Sequence, residues 1–487
     1  MQFYINNIMN DNLYIEDEFE IPSLNTMIET REIKGRDGFL LGERKVEGFN
    51  FPIPFIYVNH ENKEYQDIVN ELVEFFNREE EVRLRFENEY WYWNVVFTGT
   101  IQFKQETDGF VRFELNCIIA DPYKYSNERY STVSEDDHLT IYNRGTAPTY
   151  PVFKATAKRD STMIMISKND EEYFMLGEGA DVFQETKDLS PVVYSTDHSS
   201  ISGWTRRTNS IDDNITGGAV GGSLTSDGES FIVSDYGEST NGWYGGALQR
   251  SLSSTLSDFE ISTVIEIHPD LNRRRKGLIK GTVHLADETG NLVASIGLID
   301  TQLSVKDTRV VVRIYDRNGN AKNIYYARQS PNAFRFGKVH ITLKKQGNAF
   351  TASAFKSTEE NGSTKISSRM NRKFIDTTGD YDRSVRQLIT YVSKYTGEDN
   401  EVPLYIYETK VKRILPDEAG VIPLAIKRGD IIEIDNQQEI MLLNGAPATE
   451  LKDFGATYFD VPASLTEIFI HPEDTFDVTA EWRDRYH

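Results

Sequence analysis

Near its C-terminus the chain runs Lys427-Arg428-Gly429-Asp430 and then IIEIDNQQEIMLLNG, which places Glu433, Asp435 and Glu439 within seven positions. Carboxylates this close raise the chemistry of glycoside hydrolysis. There, one acid protonates the leaving oxygen, and a second, about 5 Å away in a retaining enzyme, acts as nucleophile. Spacing decides against it. Glu433 and Asp435 alternate on one strand face, but Glu439 would lie about 20 Å along a single strand from Glu433, at roughly 3.3 Å per residue. If Asn436-Gln437 instead forms a two-residue turn, Glu439 pairs with Ile434 and points away from Glu433. Neither arrangement assembles a dyad, so no catalytic residue and no enzyme activity is expected. Arg428-Gly429-Asp430, the tripeptide read by adhesion receptors, has a plainer account as a turn leading into a strand.

Other chemistry is sparse. The eight histidines show no HxH or HExxH spacing, so neither a metal site nor a cofactor is expected. GxSxG is absent. GGAVGG at 217–222 lacks the Lys-Ser/Thr of a phosphate loop and reads as linker. Trp204, Trp243 and Tyr244 lie near glycine-rich stretches. They are the candidate carbohydrate-binding residues, because an aromatic face can stack on a sugar ring; each also reads as a core aromatic. Arg273, Arg274, Arg275 and Lys276 make a compact basic run after Pro269, a candidate contact for anionic wall polymers or simply a solvated loop. In Tyr90-Trp91-Tyr92-Trp93, alternating sides fit a strand buried on both faces better than a sugar or base platform.

The elements that must carry these residues are almost all strands. Residues 1–58 read as short strands punctuated by glycine. In NKEYQDIVNELVEFFN, Tyr65, Ile68, Val69, Leu72 and Phe76 share one helical face, and Asn62 is the expected cap. Strands resume through GFVRFELNCIIA. Residues 138–187 hold a few more, with turns at Asn143-Arg-Gly145 and Lys168-Asn-Asp170. Residues 190–230 are rich in Ser, Thr, Gly and Asp, a flexible-loop composition. From 231 to 413 strands recur at regular spacing, with turns at Gly290, Gly319 and Gly347, the pattern of a sandwich or jelly roll. Residues 138–187 and 420–487 are each too thin to bury a core alone, so they are expected to be two halves of one sandwich split by an insertion.

Charge supports that division. Residues 191–415 carry 29 basic and 25 acidic side chains, whereas residues 1–130 carry 13 against 25. The formal net charge of −23 argues against a duplex-binding protein, which needs a basic footprint. With 39% apolar residues the chain supports buried cores. The lone Cys117 excludes an intrachain disulfide. Neither a secretion signal nor a run of 18 apolar residues is visible, so nothing marks the chain for a membrane.

Three blocks, in order and spacing, resemble a known family. REIKGRDGFLLGERKVEGFNFPIPFIYV with the helix and ADPYKYS is similar to the N-terminal domain of siphophage distal tail proteins. IYNRGTAPTYPVFKATA is similar to the opening of their galectin-like domain, and KRGDIIEIDNQQEIMLLNG to its later hairpin. STNGWYGGALQRSL followed by DFEIST resembles the start of a concanavalin-like jelly roll. The resemblance is to the large form with an inserted carbohydrate-binding-like domain. It implies a mostly β fold in four stretches: an N-terminal β-barrel or belt domain with one helix (1–130), a first part of a galectin-like sandwich (131–190), an inserted jelly roll (191–415) and the rest of the sandwich (416–487). It further implies a homo-hexameric ring at the virion tail tip, assembled in the host cytoplasm. The ring would join the tail tube to a tail-associated lysin or tail fibre and to receptor-binding proteins, with the insert touching host cell-wall saccharide. No sequence-specific nucleic acid or membrane contact is expected; an acidic channel would let DNA pass without sticking. The competing expectation is a free-standing carbohydrate-binding or glycan-degrading β-sandwich.

Overall fold

The computed structural model describes residues 1–34, 37–78, 81–107, 109–180, 184–267, 278–301, 307–330, 333–360, 363–397 and 402–487. The fold is mostly β, and the chain divides into two compact units, residues 1–183 with 424–487, and residues 184–423. The insert expected over 191–415 falls inside the second unit.

The first unit begins with a curled sheet in the order Phe3–Ile5, Val82–Phe86, Trp91–Thr98, Phe110–Ile119, Phe49–Val58, Leu13–Ile15. Strand Phe110–Ile119 shows why: Val111, Phe113, Leu115, Cys117 and Ile119 alternate inward and are buried. The helix Tyr65–Phe76 buries Ile68, Leu72 and Phe76, and Phe76 meets Phe55 at 5.0 Å between ring centres. Its cap differs from expectation. Glu64 occupies that position without a side-chain cap bond, and Asn62 sits at φ 54° in the turn before it. Trp91, Tyr92 and Trp93 are all buried, while Tyr90 is exposed.

Strands from two distant stretches of sequence then interleave in a sandwich. One sheet has the order Tyr130–Val133, Phe476–Trp482, Val152–Ala157, Ile431–Asp435, Ile440–Leu443, Ala446–Pro447; the other runs His138–Tyr142, Leu465–His471, Met163–Ser167, Tyr173–Gly177. Phe153, Ile166, Phe174, Ile432, Ile434, Ile468 and Val478 share its core.

The second unit is a long sheet folded back on itself. Its first half runs Ala321–Tyr326, Thr308–Tyr315, Leu292–Asp300, Ile279–Ala286, Val385–Tyr395, Trp243–Leu256, Ala219–Ser226. Its second half continues Phe231–Asp235, Leu404–Arg413, Phe259–Ile267, Lys338–Gln346, Ala349–Glu360, Ser363–Ile375. The halves pack face to face: a Cβ on Gly281 would lie 2.7 Å from Leu404 of the opposite half. Val283, Leu285, Ile296, Leu298, Val310, Val312, Ile341 and Ile406 fill the space between.

The flexible linker expected over 190–230 is not there. Strands Val192–Thr196 and Ala219–Ser226 occupy much of it. Gly222 serves close approach instead, since a Cβ there would lie 2.1 Å from the Asp235 carbonyl oxygen.

Candidate functional site

The carboxylate hairpin holds the one catalytic candidate. Strands Ile431–Asp435 and Ile440–Leu443 pair with Asp435 opposite Ile440. The connection therefore spans residues 436–439 and is not the two-residue turn expected at Asn436-Gln437. Glu439 sits in that turn at φ 53°, not opposite Ile434, whose partner is Met441. The physical reason is Asn436, which is buried. Its amide donates to the Pro151 carbonyl at 2.7 Å and accepts from the Phe459 N–H at 3.1 Å, which draws it out of the turn tip. Asp435 accepts the N–H groups of Gln437 and Gln438 at 2.9 Å each; burial nonetheless pushes its pKa up. Asp430 is likewise spent on local structure, accepting from the Lys427 N–H and the Asn444 amide, and Gly429 takes φ 89° in the turn.

The aromatic candidates separate. Trp204 is buried, edge-on to Phe231 at 5.4 Å and to Tyr194 at 6.0 Å. Tyr244 is buried and pairs with Lys394 across the sheet. Trp243 is half-buried, with the Lys280 ammonium 4.2 Å from its ring centre and Tyr395 edge-on at 5.4 Å. The structure does not bring the three together. Arg273, Arg274, Arg275 and Lys276 lie outside the described residues.

Lys280 leads to a feature that sequence reasoning missed. Strand Ile279–Ala286 sends Ile279, Val283 and Leu285 into the core, so Lys280, Thr282 and His284 face the other way. Register places Ser295, Arg313 and Tyr315 on that same face in the next two strands, through the pairs His284–Ser295 and Ser295–Arg313. An outward polar face should be wet. Here it is dry: Lys280, Thr282 and His284 are wholly buried.

What covers it is a strap of the chain's own backbone, residues 211–218. Ile211 and Gly218 exchange both N–H···O bonds, at 3.0 and 2.9 Å, closing the strap into a knuckle. Within it, Asp213 accepts the N–H groups of Ile215 and Thr216 and the Thr216 hydroxyl. The knuckle plugs into the sheet. Lys280 Nζ donates to the carbonyls of Ile215 and Gly217 at 2.7 and 2.5 Å. Thr282 Oγ1 reaches the Thr216 carbonyl at 3.1 Å, and Arg313 pairs with Asp213 at 3.0 Å. Beneath it, Thr282, His284, Ser295, Tyr315 and Thr216 form a continuous polar chain with links of 2.6 to 3.0 Å. Thr282 spends its proton on the strap carbonyl, so its oxygen accepts from His284 Nε2–H, and the bare Nδ1 accepts the Ser295 hydroxyl. Burial holds His284 neutral, pushing its pKa down to about 3. Ile211 anchors one end of the strap among Val220, Ala247, Ile389 and Tyr391.

Residues 9–118 match the family described as phage tail protein RIFT-related domain. That segment is therefore similar to a phage tail protein domain. No curated protein matches it in sequence. Among solved structures it is similar to the CBM2 module of the evolved Dit of Lactobacillus casei BL23 phage J-1, at 15% identity and TM-score 0.37, covering 48% of this chain and 100% of that one. It is also similar to the Dit of phage SPP1, at 16% and 0.31, covering 37% and 75%. A family 16 glycoside hydrolase endo-glucanase from Bacteroides ovatus aligns at 13% and 0.29, covering 45% and 100%.

The matched segment contains a second conspicuous surface. Strands Thr26–Glu32 and Phe39–Val46 pair only with each other among the described residues, and every residue of the first strand is exposed. Met27, Phe39 and Leu41 of this ribbon are 56%, 62% and 68% exposed. A cleft of about 650 Å³ opens at its root, lined by Pro22, Leu24, Phe49, Ile118 and Ile119 among others.

Proposed function

We propose that this chain is the structural hub of a phage tail tip. In this reading it is a homo-hexameric distal tail ring in the virion. It joins the tail tube to a tail-associated lysin or fibre and to receptor-binding proteins, and residues 184–423 serve as a module for host cell-wall saccharide. The exposed ribbon carries the ring. A lone two-stranded ribbon is marginal in water, and each large apolar side chain it buries would contribute about 1.5–3 kcal/mol. A second copy supplies the missing face, and a head-to-tail contact that closes gives a ring. The acidic balance of residues 1–130 suits a channel that DNA traverses without adhering. No catalysis is assigned: Asp435 serves the turn at 436–439, and Glu439 lies in that turn. For the saccharide, Trp243 is the one of the three candidate aromatics that is not buried. Sedimentation and negative-stain imaging test the ring. A six-fold ring with a central hole is expected, and Phe39→Asp with Leu41→Asp should yield smaller species. A strict monomer at micromolar concentration would sink this reading.

A further inference from the structure

The face beneath the strap poses a question of cost. A sealed surface gains most from apolar side chains, and burying charge is expensive even when it is paired. Yet this one retains two cations. Lys280 is wholly buried, hydrogen-bonds to two backbone carbonyls and touches no carboxylate among the described residues. Arg313 is 6% exposed in its side chain and depends on a single strap residue, Asp213, for its counter-charge. Burial drives the Lys280 pKa well below its ordinary value. As a device for stability the arrangement is poor.

As a receptor it makes sense. The sheet presents donors: an ammonium, a guanidinium and the hydroxyls of Thr282 and Tyr315, with the Trp243 ring against Lys280 at the edge. The strap presents the complement: one carboxylate, one hydroxyl and the carbonyl oxygens of Ile215, Thr216 and Gly217. A negative group set among several neutral oxygens is the pattern of an acidic sugar residue. The knuckle also holds its own shape, through the Ile211–Gly218 bridge and the Asp213 turn. It can therefore leave the sheet as a unit.

We propose that this face is a binding groove for an anionic glycan, one bearing a carboxylate or phosphate among hydroxyls, and that strap 211–218 occupies it as an internal stand-in. The inference rests on the reading of residues 184–423 as a saccharide module and names the ligand class and the groove. Lys280 and Arg313 take the anion, the Thr282 and Tyr315 hydroxyls take the sugar oxygens, and Trp243 offers an apolar face to the ring. Glycan displaces the strap, so the resting protein binds weakly.

The test uses the full chain with two loosened straps. Ile211→Ala removes the apolar anchor without touching a polar group of the groove; Asp213→Asn weakens the hold on Arg313. Binding is measured to polygalacturonate, to poly(glycerol phosphate) and to neutral β-glucan, with a circular-dichroism melt to confirm folding. Both variants should bind one of the two anionic polymers at least about tenfold more tightly than wild type, and neutral glucan no better. Adding Lys280→Met should abolish the gain. Which polymer gains decides between carboxylate and phosphate. The proposal is overturned if folded variants gain nothing, or gain equally for neutral glucan. A glycan array with wild-type protein separates the two failures. Array binding without a gain in the variants removes the groove and leaves the module; no binding by any form removes both.

Discussion

Replacing Asp213 by Ala tests whether the strap is an integral part of the second unit or a loose cover. The carboxylate and the Arg313 guanidinium are 3.0 Å apart with side chains 3% and 6% exposed. Breaking a buried pair from one side costs about 3–5 kcal/mol, because the remaining charge stays buried without its partner. Arg313 would be left with the amide oxygens of Asn323 and Asn214. The Ile215 and Thr216 N–H groups would also lose their acceptor, so the knuckle loses its turn. For a unit of this size each kcal/mol moves the transition by about 2–4 °C, so a drop of roughly 6–20 °C is expected. Differential scanning calorimetry on the full chain reads it, with the transition of the first unit as an internal control that should not move. A shift under about 2 °C would refute the claim that this ion pair is buried and structural. The pH dependence adds a sign. Burial pushes the Asp213 pKa up, but the Thr216 N–H, the Arg313 charge and the Ile215 N–H outweigh it and hold it below the ordinary value. A depressed carboxylate contributes fully above its unfolded value of about 3.9 and loses that contribution as pH falls through the folded one. The lead of wild type over Asp213→Ala should therefore shrink in acid.

Burial pushes His284 down to about 3 and both His198 and His340 to about 4. The unfolded chain takes up these protons first, so the second unit should lose stability as pH falls from about 6.5 toward 4; melts across that range should show it, and His340→Gln should flatten the slope. Gly145→Ala would place a Cβ 2.0 Å from the Arg485 carbonyl oxygen; an overpacking cost of about 1–3 kcal/mol is expected in the first unit. Gly429→Ala meets nothing within 4 Å and should pay only for its left-handed turn, so a melt that ranks the two the other way would contradict the packing. Cys117 is buried and its thiol is pushed up to about 12; it should react with a thiol reagent in denaturant and scarcely at all in the native chain.

Strand alternation made much of the architecture legible. Spacing alone puts Ile68, Leu72 and Phe76 on the buried helix face. Turn chemistry located Gly290, Gly319 and Gly347, all at positive φ. The failures share a cause: local composition does not report what a backbone touches at long range. In the sequence Asn436-Gln437 looks like a turn tip. Asn436 is instead held by Pro151 and Phe459, residues no local window contains. GGAVGG reads as linker because glycine usually marks mobility. Gly218 and Gly222 are required because neighbouring strands leave no room for a Cβ.

A signal for the strap was nonetheless present in strand Ile279–Ala286, IKGTVHLA. One face reads Ile, Gly, Val, Leu; the other reads Lys280, Thr282, His284, Ala286. In an ordinary sandwich such a strand has one dry and one wet face, and Lys, Thr and His on the wet side need no explanation. The anomaly exists only in three dimensions, where the wet side is closed by residues 211–218. Those residues, IDDNITGG, carry the acid, the hydroxyl and the glycines that a polar face can accept and that a folded-back knuckle needs. Cover and groove are thus complementary in charge as well as shape. Stability alone would have filled the face with apolar side chains. Its retention of an ammonium and a guanidinium is better explained by something anionic that the strap replaces.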